Sequence, residues 1–233
     1  MSEAVPVVSG EVSHPAARQA TQFRLDAIAP MPWKNGGGTT RELAVWPPGA
    51  AMDDFAWRIS VADITADGPF SAFPGIDRQI ALIEGAGVRL EALDGSFGHR
   101  LDRIGVPYAF AGETAVHGAL IAGPTRDFNV MTRRDRCHAK IEGLHARFSL
   151  STGEHATLLL VVRGSWRDDG SRADSGQSDG GQTHSGQTHS GQTFGAGDGI
   201  LFPAGAAVAV PIFTPAEPAA LCLRVELHME PVR

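Results

Sequence analysis

Hydrophobic and polar positions alternate along most of this chain in short runs with a period of two. WRISV (57–61) puts Trp57, Ile59 and Val61 on one side and Arg58 and Ser60 on the other. DFNVM (127–131) sets Phe128 and Val130 against Asp127, Asn129 and Met131. Comparable runs predict strands over 39–45, 56–62, 79–84, 87–92, 115–121, 126–132, 156–163, 199–202, 206–210 and 220–227. Between them, DGPF, FPG, EGAG, LDG and PAG supply turns. Few segments carry a helical period, and those are short. Many short strands at short spacing predict an all-β sandwich or barrel.

Two stretches break the pattern. Residues 1–21 are small, polar and proline-containing, and read as a disordered tail. Residues 168–193 hold a five-residue repeat from Ser175 (SGQSD, GGQTH, SGQTH, SGQTF) with nothing apolar to bury. They read as a loop insertion between two strands. His184 and His189 in that loop offer a metal only weak, adventitious binding, because ordering a floppy loop costs about 1–2 kcal/mol per residue fixed.

Composition narrows the function classes. The 233 residues are 42% hydrophobic, enough for one large β domain or two small barrels sharing an interface. Lys+Arg is 20 against 26 Asp+Glu, a net charge of −6, with no basic run. Nucleic acid and anionic membrane are therefore not expected as partners. Cys137 and Cys222 form no CxxC pair, no signal-peptide pattern opens the chain, and no apolar stretch reaches membrane-spanning length. A cytoplasmic protein with reduced thiols is expected.

The second half contains Gly197-Asp-Gly-Ile-Leu-Phe-Pro203-Ala-Gly205, which resembles the second conserved motif of the cupin superfamily. Its glycines and proline suit a tight bend, a short buried strand and a corner. In metal cupins a histidine ligand follows the last glycine after two intervening residues; here Val208 stands there. His155 precedes the strand-and-turn LLLVVRGSW without an HxH pair, and reads as a surface or structural histidine. In the first half, Phe70-Ser-Ala-Phe-Pro-Gly75 occupies the place of HxH, and His99 and His117 lack partners at ligand spacing. The resemblance implies a double cupin (bicupin) of two jelly-roll β-barrels, assigned to residues 22–135 and 136–233. No metal and no cofactor are expected.

The densest chemistry lies in Met31-Pro-Trp-Lys-Asn-Gly-Gly-Gly-Thr-Thr-Arg-Glu42. Three glycines are more than a plain turn requires, since each costs backbone entropy. Either a flexible turn enters the next strand, or the backbone approaches a ligand or forms an N–H nest for an anion. A P-loop is excluded, because the lysine precedes the glycines and no helix pattern follows. Arg58 and Asn129 fall on barrel faces that are either lumen or solvated exterior. Arg78 is either a third lumen residue or the ion-pair partner of Asp77. An arginine held inside a barrel favours a carboxylate, gripped by two parallel hydrogen bonds. The candidate ligand-binding set is Trp33, Asn35, Arg58, Ser60, Arg78 and Asn129.

These same segments, MPWKNGGGTTRELAVWPP, FAWRISVADITADGPFSAFPGIDRQIALIEG and GPTRDFNVMTRR, resemble the HutD/Ves family from about residue 22 onward. The resemblance implies a bicupin linked to histidine utilisation, binding an acidic intermediate such as N-formylglutamate to sense or limit pathway flux, without established enzymatic activity. The expected function is thus a non-enzymatic binder of a small acidic metabolite. The competing reading is a metal-free cupin enzyme, an isomerase or hydrolase, with His99, Glu42, Asp127 and Tyr108 as the available acids and bases. A third is a protein-interaction module with a vestigial pocket. Fold-level analogy also leaves room for a homodimer through edge strands.

Overall fold

The computed structural model describes residues 19–150, 153–171, 191–206 and 211–231. The tail before residue 19, most of the repeat with His184 and His189, and Val208 lie outside the described residues. In chain order the first half forms β1 (Thr21–Arg24), β2 (Met31–Pro32), β3 (Gly38–Trp46), β4 (Trp57–Ile64), β5 (Gly68–Phe70), β6 (Ile76–Glu84), β7 (Val88–Ala92), β8 (Gly98–Leu101), β9 (Pro107–Ala111), β10 (Val116–Leu120) and β11 (Thr125–Arg133). The second half continues with β12 (Cys137–Leu144), β13 (Phe148–Ser149), β14 (Ala156–Arg163), β15 (Ser165–Ser171), β16 (Thr193–Gly195), β17 (Asp198–Phe202), β18 (Pro211–Pro215) and β19 (Leu221–Met229).

The strands hydrogen-bond into four sheets, in the orders β2-β3-β4-β11-β6-β9, β5-β10-β7-β8, β1-β17-β14-β19-β12 and β13-β18-β15-β16. The fold is all-β, as the alternating pattern predicts. None of the four sheets closes on itself among the described residues, so each half is a pair of facing sheets. The short β1 hydrogen-bonds to β17 and so joins a sheet of the second half.

Period-two alternation decides what each face of a strand meets. Trp57, Ile59 and Val61 of β4 and Phe128 and Val130 of β11 join Leu158 and Leu160 of β14 and Leu223, Val225 and Leu227 of β19 in the largest core. The six-stranded and five-stranded sheets thus stack face to face, and the interface between the halves is itself a hydrophobic core. Each fully buried aliphatic side chain there contributes about 1.5–3 kcal/mol. Gln79 of β6 adds a polar tie across this interface, donating to the Ala139 carbonyl at 2.6 Å.

The outer sheets cover the remaining faces, and the two halves fill them differently. In the second half, Trp166, Phe194, Phe202 and Phe213 pack with Leu159 and Ile200 between the sheets. In the first half, Ile80, Leu82, Val88, Leu90, Leu101 and Val116 form one cluster, and Phe55, Ile76 and Met131 a smaller one. Here β4, β6 and β11 also bury polar side chains: Arg58, Ser60, Arg78, Asp127 and Asn129.

Several strands had weak sequence signals. β12 alternates its burial, but CHAKIEGL hides the pattern behind small and charged residues. β5, β13 and β16 have two or three residues each, too few for a period to show.

Candidate functional site

Register builds the site. Arg58 of β4 pairs with Met131 of β11, which pairs with Arg78 of β6. One row along, Ser60, Asn129 and Ile80 are matched in the same way. Side chains opposite one another in an antiparallel sheet share a face, so the two arginines project to the same side, about 10 Å apart across two strand spacings. That side faces away from the central core. With β5 and the segment after it, it encloses a cavity of about 670 Å3.

All six candidate residues line this cavity. Arg58, Ser60, Arg78 and Asn129 form its buried wall, each under a tenth exposed. Trp33 and Asn35 come from the turn between β2 and β3, where Asn35 is exposed and Trp33 half-buried. That turn also answers why the segment needs its glycines. Gly36 adopts φ +71°, and its N–H and that of Gly37 go to the Trp33 carbonyl and the Asn35 Oδ1. A Cβ on Gly38 would lie 2.3 Å from the Asp63 carbonyl oxygen and 3.1 Å from the Trp33 ring. The close approach is therefore to β4 and to Trp33, and the first two N–H groups are spent inside the turn. Trp33 is fixed in turn by its Nε1 donating to Thr40 Oγ1 at 2.7 Å.

Arg78 is the most exacting residue of the wall. Its guanidinium lies 5.0–5.7 Å from the ring centres of Phe110, Phe70 and Phe73, an arrangement that attracts a cation to aromatic faces. Its hydrogen bonds are long: 3.3 Å to Asn129 Oδ1 and 3.4 Å to the Ser71 carbonyl, with Nε unpartnered among the described residues. Asp77 does not pair with it, because that carboxylate is taken by Arg134 at 2.8 Å. Burial, and then the like charge of Arg58, lower the Arg78 pKa to about 10, so it remains a cation at neutral pH. Arg58 is better matched, its Nε donating to Glu42 Oε2 at 2.7 Å.

Asp127 shares the wall and is only 2% exposed. Neither carboxyl oxygen has a hydrogen-bond partner among the described residues. Burial pushes its pKa up to about 7, with the Arg78 charge pulling the other way. The carboxyl is thus held near half-protonation at neutral pH, while Arg78 remains a cation. An unspent buried cation carries a desolvation cost that an incoming anion relieves.

Of the other acids and bases read from the sequence, Glu42 serves Arg58, and His99 and Tyr108 stack on each other at 3.7 Å outside the lining. Among the described residues the lining offers a metal one carboxylate and no imidazole or thiolate. The aromatic surround of Arg78 has no signal in the sequence: Phe70 and Phe73 read as turn residues in DGPF and FPG. In the second half, Gly197 takes φ +86° at the predicted bend, and Asp198 Oδ2 accepts the Gly195 N–H at 2.8 Å.

A family model described as HutD matches residues 25–210. Over 136 residues the chain is 43% identical to the protein Ves of Citrobacter koseri, covering 58% of this chain and 69% of that one. The solved structure of HutD from Pseudomonas fluorescens SBW25 superposes with a TM-score of 0.71 at 29% identity, covering 91% of this chain and all of that one. A conserved barrel-domain cupin from Leptotrichia buccalis, 10% identical, superposes at 0.52 over 90% of this chain and 96% of its own, a likeness of fold alone.

Proposed function

The chain belongs to the HutD family, and from that premise we propose that its cavity binds a small acidic metabolite of histidine breakdown, with N-formylglutamate as the test ligand. In this reading the protein is a cytoplasmic, non-enzymatic binder that senses or limits flux, built as a double cupin whose first half holds the ligand. The observation that carries it is Arg78: a buried cation with long hydrogen bonds, facing the same cavity as Arg58. Two guanidinium groups about two strands apart suit a molecule with two carboxylates, each able to accept a paired hydrogen bond. The half-apolar remainder (Phe70, Phe73, Ile80, Met131) suits a short methylene chain. The aromatic filling of the second half supports its role as structural partner. The net charge of −6 and lack of a basic run speak against nucleic acid and anionic membrane as partners, and a homodimer is compatible with this reading. No helix among the described residues is long and apolar enough to cross a membrane.

Thermal unfolding with added N-formylglutamate tests the proposal. Ligand at a hundred times its dissociation constant stabilises the native state by about 2.7 kcal/mol. For a chain this size that raises the melting temperature by roughly 5–10 °C. An unchanged melting temperature at millimolar ligand, with flat calorimetry, removes the reading.

Asp127 favours one alternative, a metal-free enzyme acting on the same class of compound. A carboxyl with a pKa of about 7 and no hydrogen-bond partner among the described residues is suited to take or give a proton at a bound substrate. Incubation with histidine-degradation intermediates followed by product analysis separates the two, since a binder returns its ligand unchanged.

A further inference from the structure

A second polar cluster lies in the other half of the molecule. β12, β19 and β14 are neighbouring strands, and their register sets His138 opposite His228, and Thr157 opposite Glu226. His155 follows one step beyond the Ala156–Leu227 pair, which brings it level with His228. On β19, Val225 and Leu227 enter the central core, so Glu226 and His228 face away from it.

The Nε2 of His155 lies 4.0 Å from one oxygen of the Glu226 carboxylate, and the Nε2 of His228 lies 4.0 Å from the other. Ligand atoms of all three residues fall within 4.8 Å of one another. These separations are too long for hydrogen bonds, which span about 2.7–3.2 Å. The His155 side chain is only 12% exposed, and its Nε2 has no hydrogen-bond partner among the described residues. The two imidazoles therefore present ring nitrogens to a carboxylate without bonding it.

We propose that His155, Glu226 and His228 form a binding site for a divalent transition-metal ion of the zinc class. Two imidazoles and one carboxylate select borderline cations over calcium or magnesium, which take oxygen ligands. Tetrahedral ligands about 2.0–2.2 Å from zinc lie about 3.4 Å apart, so closing from separations of 4.0 to 4.8 Å takes about 0.6–1.4 Å of side-chain movement. Three protein ligands leave a fourth position for water. The surroundings hold the set in place: Arg224 Nε lies 3.4 Å from Glu226, and His138 stacks on His228 at 4.8 Å while its Nδ1 meets Glu230 at 2.9 Å. Arg224 and Lys140 are the charges that oppose a cation here, and Glu142 pairs with both. The site lies in the other half from the ligand cavity and does not use position 208.

Untagged full-length protein, stripped with a chelator, is titrated with zinc by calorimetry and with cobalt by visible absorption. One ion per chain is expected, with cobalt d–d bands marking nitrogen–oxygen ligation. His155→Ala and the isosteric Glu226→Gln should each weaken binding at least tenfold, while the loop variant His184→Ala/His189→Ala keeps it. Absence of binding at sub-millimolar metal overturns the proposal. So does unchanged affinity in a folded Glu226→Gln, or loss confined to the loop variant.

Discussion

Replacing Asp127 by asparagine should make the protein more stable at pH 8 and leave it nearly unchanged at pH 4. The unfolded carboxyl titrates near 3.8, and the folded one near 7 because it is buried. Below about pH 4 both states hold the proton, and Asp127 carries no penalty. As pH rises toward 7 the unfolded state releases the proton while the folded state keeps it, so stability falls. Above 7 the penalty is complete: the rise from 3.8 to about 7 corresponds to about 4 kcal/mol. Asparagine keeps the shape and removes the titration, which corresponds to roughly 10 °C in melting temperature at pH 8. Urea unfolding of both proteins from pH 4 to 8.5 reads the difference directly, because other titrating groups cancel. The opposite outcome, asparagine less stable at pH 8 by about 3–5 kcal/mol, would mean that Asp127 is ionised and forms a working pair with Arg78. That result would refute the account of a near-neutral carboxyl beside the unspent Arg78.

Arg78→Met should retain or modestly raise stability, since a buried charge with poor partners is exchanged for an apolar side chain of similar length packed among Phe70, Phe73 and Phe110. Its urea midpoint should not fall below that of the wild type, although the ligand response is lost. Gly38→Ala should destabilise by about 1–3 kcal/mol, because its Cβ meets the Asp63 carbonyl at 2.3 Å and must push β3 from β4. Thermal unfolding checks this, and displacement of the Trp33 ring should quench the ligand response as well.

What could be read from the sequence follows from the physics of strands. Period two depends only on local order, so the faces of β4 and β11 are visible in WRISV and DFNVM, while the side on which Arg58, Ser60 and Asn129 meet is set by the pairing of the two strands. Arg78 joined them because IDRQIALIE keeps the same alternation through β6. Its partner was not legible: Asp77 is adjacent in sequence, but successive residues point to opposite faces, and Arg134 arrives from beyond β11 to take the acid. The glycines of WKNGGGTT left two readings open, because only three-dimensional contact with Asp63 and Trp33 decides between them. His155 looked isolated for the same reason. Its neighbours Glu226 and His228 lie some seventy residues away in the chain and meet it only through the pairing of β14 with β19.

The most direct test of the central claim is calorimetric titration of N-formylglutamate into the wild type, Arg58→Met and Arg78→Met. The account predicts one molecule bound per chain in the wild type, and no measurable heat at millimolar ligand in either folded variant. Wild type without heat of binding, or variants that bind with unchanged affinity, would contradict it.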